Sequence, residues 1–572
     1  MRVNFLPSRN YAAWFQKGAR HNADNRSEDV YPHYYSISPH LSMMPTLLRR
    51  LKRASELFSV TRMARQVANH APGDQGRLPV LFFNASTRLS GLSQNAAFSL
   101  LASWAVRLAG LRVVHFICWA GMSHCVLGTD QDDPEQAMPC KMCTRQSRVN
   151  TTKAELRTFT YQQDDELAAI LQPLSLDELL RYEQPVSDGT GSLPLGKLVL
   201  PSLQWRLRLK TLIDDPATRT ICREFMLSAW NVARKFSLLL ENVKPQAAVL
   251  FNGMHFPEAT AAWLCRQRGV RVITHESGFQ PLSGYFVKGD VTTYPIVIPE
   301  VDLTPEQNKR LDVDLQKRLQ GDFSMAGIQF WGEMHSLPEE LVQKAARFRQ
   351  VVAVFTNVIF DTTQLHANVI FTDMFAWLDA LLEVFRNHPE TLFVLRAHPD
   401  EARPGKSSRE SVEMWFEQKA VVLPNVLLIP PEERVSSYEL IRLSKFVLTY
   451  NSTVGLEATL MGVAALGAGK APFVKYDTIY FEDNREAYLR RLEALLSAIQ
   501  IEVPAEAIKR TRRFMYYRYY RFSLPFGEFI ESTAPLGYVR LKKFSWRALQ
   551  KSPSAQVLQA GLLQDQRFEL DV

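Results

Sequence analysis

Short runs of Val, Leu, Phe and Ile, each ending in polar residues, alternate along this chain with longer amphipathic stretches. From Leu78 onward PVLFFNAS reads as a buried strand, TRLSGLSQN as a Gly- and Ser-containing loop, AAFSLLASWAVRLAG as an amphipathic helix and LRVVHFICWAG as a second strand. That is a βαβ unit. Mostly helical sequence follows to about residue 245, interrupted by a Gly/Pro/Ser loop at 184–196, before AAVLFNG, FPEATAAWLCRQRG and VRVITHESG resume the pattern. A further run begins at VVAVFTNVIFD (351–361) and continues through LFVLRAHPD, NVLLIPP, SKFVLTYNS and VAALGAG, with helical segments between. Strands alternating with helices build parallel, doubly wound sheets. No internal repeat of 20–50 residues is evident.

The expected fold class is therefore α/β. Two doubly wound, Rossmann-like domains face a cleft, with a helical and cysteine-containing insertion in the first. The boundaries read as an N-terminal extension (1–76, with a basic helical patch near 45–69), a first domain (77–295), a linker (296–345), a second domain (346–505) and a C-terminal helical tail (506–572).

At 572 residues the chain exceeds one compact core. Its 46% hydrophobic and 22% charged residues are those of a globular protein. It has no run of about 18 apolar residues. MRVNFLPSRNYAAWF lacks an apolar secretory region, so a cytoplasmic protein is expected. Much of the +8 charge gathers at Arg49–Arg53 and Lys509–Arg521. Such clusters suit an anionic substrate, peripheral association with the inner face of a plasma membrane, or a plain solvated face. Tyr516, Tyr517, Tyr519 and Tyr520, with Arg518 and Arg521, read either as an interfacial anchor or as a helix packing back on the first domain. No nucleic-acid-binding signature is present, so no nucleic-acid partner is expected.

Ligands of open parallel sheets bind beyond the carboxyl ends of the strands. Arg396 and His398 stand at one such end, and Asn451, Ser452 and Thr453 at another, where a helix begins. A cation, an imidazole and a helix start on one edge suit a phosphate-bearing ligand such as a nucleotide diphosphate. Asp361-Thr362-Thr363 ends another strand as a polar turn.

RAHPD, followed about fifty residues later by Asn451-Ser452-Thr453-Val454-Gly455-Leu456-Glu457, resembles bacterial capsule and surface-polysaccharide glycosyltransferases of the GT-B class. That group includes capsule Kdo transferases, and polyglycerol-phosphate transferases share the pattern. The resemblance is good over 350–470, fair over 245–290 and poor elsewhere. It implies a nucleotide-sugar donor in the second domain, a saccharide or lipid-linked saccharide acceptor in the first, and no catalytic metal. Carried over, His398, Ser452 and Thr453 meet the donor phosphates and Glu457 the ribose or sugar hydroxyls. Ser436 and Ser437 offer a further cap near the base or ribose.

Transfer to a hydroxyl needs a base. Thr274-His275-Glu276-Ser277-Gly278 ends a first-domain strand, where neighbouring side chains face opposite ways. Glu276 is the favoured base and His275 the alternative; Glu276 pairing with Arg271 would be the structural reading. Lys288-Gly289-Asp290 matches a polar turn of the related enzymes.

Four of the six cysteines, Cys118, Cys125, Cys140 and Cys143, lie within 26 residues as C-x6-C-x14-C-x2-C. Cytoplasmic thiols at this spacing suit structural Zn(II), with an iron–sulfur cluster or a set of reduced thiols as alternatives. Cys222 and Cys265 fall on apolar helical faces. The acidic run Asp130-Gln131-Asp132-Asp133 lacks the Gly and distal Glu of a calcium loop.

The expected activity is sugar transfer in capsule or surface-polysaccharide synthesis. A CDP-linked glycerol- or polyol-phosphate transferase, a nucleotide-sugar epimerase and a non-catalytic nucleotide-binding scaffold are the alternatives.

Overall fold

The computed structural model describes residues 46–73, 76–85, 91–130, 133–186, 191–319, 335–360, 364–403, 407–533 and 537–572. Residues 1–45, Ser90, Gln131, Asp132, 320–334 and the Asp361-Thr362-Thr363 turn lie outside it.

The first half begins with α1 (Thr46–His70), β1 (Val80–Asn84), β2 (Leu92–Ser93), α2 (Gln94–Leu108) and β3 (Val113–Cys118). It continues through α3 (Cys140–Asn150), β4 (Glu155–Phe159), β5 (Ala247–Phe251), β6 (Arg271–Ser277) and β7 (Ser283–Lys288). The sheet runs β4-β3-β1-β5-β6-β7, with Leu524–Pro525 added antiparallel at the β7 edge. All pairings from β4 to β6 are parallel, and β7 is antiparallel to β6. Continuous apolar runs such as VLFFN are what a sheet covered on both faces requires. Residue Ser93 caps α2 by accepting the Ala96 N–H at 3.2 Å.

The second half comprises β8 (Gln350–Phe355), β9 (Thr391–Arg396), β10 (Val426–Ile429), α4 (Ser437–Leu443), β11 (Phe446–Thr449), α5 (Val454–Leu460), β12 (Ala464–Gly467) and β13 (Tyr480–Phe481). It is parallel throughout in the order β10-β9-β8-β11-β12-β13. Counting within each half, both sheets follow the strand order 3-2-1-4-5-6 of the doubly wound fold, which reverses between the first and fourth strands.

Three segments outside the two α/β runs carry more structure than their composition suggests. The N-terminal extension is not wholly peripheral, because Val60, Met63, Ala64 and Val67 of α1 enter the first half's core. The stretch expected as a linker carries the helix Pro305–Leu319, whose Leu311 and Leu315 pack with residues of both halves. The tail is not simply helical. After the helix Ala505–Tyr516 it adds β14 (Leu524–Pro525), β15 (Ile530–Thr533) and β16 (Tyr538–Leu541), and β16 pairs with β2. Tyr516, Tyr519, Tyr520 and Arg518 are buried, so this segment packs inward rather than forming an interfacial anchor. Apolar burial worth roughly 25 cal/mol per Å² outweighs the cost of enclosing one arginine stacked on rings. Indeed the Arg518 guanidinium lies 3.4 Å from the Phe279 ring centre and 4.1 Å from that of Tyr294.

Candidate active site

At the second sheet's reversal point, β8 and β11 end side by side. The Asn451 N–H donates to Asn357 Oδ1 at 3.3 Å, and Gln364 Nε2 donates to Asn451 Oδ1 at 3.2 Å. Ser452 Oγ accepts the Val454 N–H at 3.3 Å, while Thr453 precedes the seven-residue α5 as its N-cap, without a side-chain cap bond. One strand away, His398 opens a short 3-10 turn. Its Nδ1 accepts the Asp400 N–H at 3.1 Å, which puts the proton of the neutral ring on Nε2.

Two expected donor ligands are engaged elsewhere. Arg396 Nη1 and Nη2 each lie 2.7 Å from a carbonyl, of Pro430 and Glu433 respectively. Burial pulls this guanidinium down to about 10, against the Glu433 and Glu432 carboxylates. Arg396 therefore braces the loop before α4 instead of standing open at the strand end. Glu457 is 4% exposed, and its Oε1 accepts from Arg318 Nε at 2.8 Å and Nη2 at 2.6 Å. Burial, then the Glu457 carboxylate, hold the nearby Tyr438 hydroxyl well above its usual range. Ser436 caps α4 through the Glu439 N–H at 3.4 Å, and Ser437 is that helix's first residue.

Beside the corresponding point of the first sheet, between β1 and β5, Glu276 stands at the end of the neighbouring strand β6. Asn95 Nδ2 donates to its Oε1 and Asn252 Nδ2 to its Oε2, both at 2.9 Å, and the Ser277 N–H adds a contact of 3.0 Å to Oε1. Asn95 lies in the first turn of α2 and Asn252 just past β5, with φ +53°. His275 faces the other way. It is 1% exposed and stacks on Phe286 with ring centres 5.0 Å apart. Arg271 pairs with Asp565 at 2.8 Å, so the expected structural partner of Glu276 is occupied.

Several contacts join the halves. The Arg208 guanidinium lies 4.2 Å from the Trp205 ring centre and 4.8 Å from that of Phe360, beyond β8. Beyond β5, His255 lies against Trp205, with burial and the Arg208 cation pulling its pKa down to about 4, so it is neutral. Glu410 accepts from the Lys210 and Thr211 N–H groups and from Thr211 Oγ1, at 3.0, 2.9 and 2.9 Å. His366 Nε2 meets Asp290 Oδ2 at 3.1 Å. Burial opposes Asp290 ionisation, but hydrogen bonds from His366 and Thr292 outweigh it and hold the carboxyl below its usual range.

The cysteines occupy one neighbourhood. Cys118 Sγ accepts the Gly121 N–H at 3.1 Å and Cys125 Sγ the Gly128 N–H at 3.2 Å. Burial, then the neighbouring thiols, push both pKa values up, that of Cys125 to about 12. Cys140 and Cys143 lie in the first turn of α3. Among the described residues no three His, Cys, Asp or Glu side chains are grouped so as to hold a metal ion. Cys222 and Cys265 are buried in the core, as their apolar faces predicted.

The family described as capsule polysaccharide biosynthesis protein matches residues 328–491, the segment carrying His398 and Asn451–Glu457. Over that stretch the chain is similar to capsule polysaccharide biosynthesis proteins. Protein FixF of Sinorhizobium fredii is 24% identical over 294 residues, 49% of this chain and 61% of that relative, so the match spans about three fifths of the relative's length. A KpsC β-Kdo 2,4 transferase of Thermosulfurimonas dismutans aligns at 12% identity and TM-score 0.33, over 54% of this chain and 87% of that one. A UDP-GlcNAc 2-epimerase of Neisseria meningitidis aligns at 12% identity and TM-score 0.24, over 77% of this chain and 98% of that one. Among the described residues no helix is long and apolar enough to cross a membrane.

Sequence reading missed Asn95, Asn252, Asn357, Gln364, Arg208 and Arg318. Only Asn252-Gly253 carried a signal, as a turn pair directly after a strand.

Proposed function

We propose that this protein is a glycosyltransferase that moves a sugar from a nucleotide-sugar donor to a hydroxyl of a saccharide or lipid-linked saccharide in capsule or surface-polysaccharide synthesis. The observation that carries the reading is the pair of sheet reversal points, one with Asn451, Ser452 and Thr453 and, a strand away, His398, the other with Asn95 and Asn252 holding Glu276 from the next strand. His398 Nε2–H would donate to a donor phosphate. Glu276, its orientation fixed by two amides, would take the acceptor proton as the sugar is transferred. No metal enters this scheme. The work is cytoplasmic, where nucleotide sugars are available.

Calorimetric titration with UDP, GDP, CMP and CDP tests the donor half. At least one should bind, and His398→Ala should weaken that binding by about 1.5–3 kcal/mol, the worth of a charge-assisted hydrogen bond. The fold should survive, because His398 stands at a strand end. Failure of all four nucleotides to bind would exclude the transferase reading. Product analysis then separates sugar transfer from polyol-phosphate transfer, which would leave phosphate in the new linkage.

For Cys118, Cys125, Cys140 and Cys143 we propose a structural Zn(II) site. Its support is their shared neighbourhood and the backbone N–H groups already aimed at two of the sulfurs. Binding would draw the sulfurs together and remove their protons. Purified protein should contain about one zinc per chain, and replacing Cys140 and Cys143 by Ser should lower its melting temperature. Brown protein absorbing near 400 nm would indicate an iron–sulfur cluster instead. Absence of both metals, with wild-type stability of the double variant, would leave four thiols.

A further inference from the structure

We propose that Gln146 and Asn95 are positioning residues for the Glu276 carboxylate, acting in series through the loop that leads into α2. The inference rests on Glu276 being the base. It adds a role for the cysteine-containing insertion, whose α3 bears on the site without touching it.

The connection is a run of hydrogen bonds. Gln146 is 3% exposed on α3. Its Oε1 accepts the Gly91 N–H at 3.0 Å, and its Nε2 donates to Asn150 Oδ1 at 3.0 Å, which fixes the amide's orientation. Gly91 has φ +76°, and a Cβ there would stand 3.1 Å from the Tyr538 ring. The loop is thus pressed between α3 and the C-terminal strand β16. The Gln94 N–H donates to the Gly537 carbonyl at 2.9 Å, and β2 pairs with β16. Three residues after Gly91 α2 begins, and its second residue, Asn95, donates to Glu276 at 2.9 Å. Asn252 holds the other carboxylate oxygen from β5.

Each link is short and directional. Loss of the Gln146 acceptor leaves the part-buried Gly91 N–H without its partner, and the loop is then free to shift. Movement of the loop carries the start of α2, and so Asn95, away from Glu276. A base displaced by about 1 Å loses up to about a hundredfold in rate without any change in substrate affinity.

The test compares Gln146→Leu, which keeps the length but removes the acceptor, with Gln146→Glu, which keeps it. In full-length protein Gln146→Leu should lower kcat between about tenfold and a hundredfold while donor KM and nucleotide affinity stay at wild type, and Gln146→Glu should recover most of the loss. Asn95→Ala should show the same split between kcat and KM. A folded Gln146→Leu protein with wild-type kcat would overturn the proposal. If that variant does not fold, wild-type kcat in Asn95→Ala overturns it instead. Should Glu276→Gln retain full transfer, the base assignment itself has failed, a result distinguishable from failure of the positioning chain alone.

Discussion

Replacing Glu276 by Gln is expected to lower transfer by about a hundredfold or more and to leave nucleotide affinity unchanged. The amide matches the carboxylate in size but cannot accept the acceptor's proton. It also disturbs its own setting, because Asn95 and Asn252 each present an N–H to one oxygen, and one of them would then face an amide N–H. The donor residues lie on the other sheet, so binding is unaffected. Transfer rates and calorimetry on the same preparation check both halves. Near-wild-type transfer would move the assignment to His275 if His275→Ala abolished activity. The geometry opposes that outcome: His275 is 1% exposed against Phe286, and its removal should act by opening a cavity in the sheet's core.

How much of this could be read from the chain depended on how local the signal was. Strands buried on both faces, such as VLFFN and TLFVLR, announced themselves as apolar runs. β4 did not, because ELRTF lies at the sheet edge, with its polar residues partly exposed. Glu276 was legible as a polar residue at a strand end, but its two amide partners were not. Asn95 meets it across 181 positions, and an asparagine near a helix start ordinarily signals capping. Arg396 shows the converse case. A cation at a strand end satisfied the ligand rule, yet the nearest acceptors were the carbonyls of Pro430 and Glu433, whose approach depends on the path of a loop. The helix inside the expected linker was hidden for a similar reason. Its helix buries little besides Leu311, Leu315 and Arg318, too sparse an apolar stripe to separate it from solvated sequence.

Arg318 leads to the largest stability effect expected. Glu457→Ala should cost about 3–5 kcal/mol, because it strands a guanidinium that is 6% exposed. The pair joins the helix before the second sheet to the helix after β11, with Tyr519 of the tail 3.3 Å from Arg318 Nη1, so three segments loosen together. A lower melting temperature and earlier proteolysis between the halves would register the loss. Removing both charges, as Arg318→Met with Glu457→Met, should return most of it, since a buried ion pair repays little beyond its own desolvation. If the single and double variants are equally unstable, the pair's charge is not what matters and packing around Tyr438 and Tyr519 must be. Glu457→Gln separates this role from the sugar-hydroxyl contact that the sequence suggested. It keeps an oxygen for Arg318 but weakens the pair. Loss of nucleotide-sugar affinity at unchanged melting temperature would assign Glu457 to the donor, whereas a lower melting temperature with intact affinity would assign it to the joint between the segments.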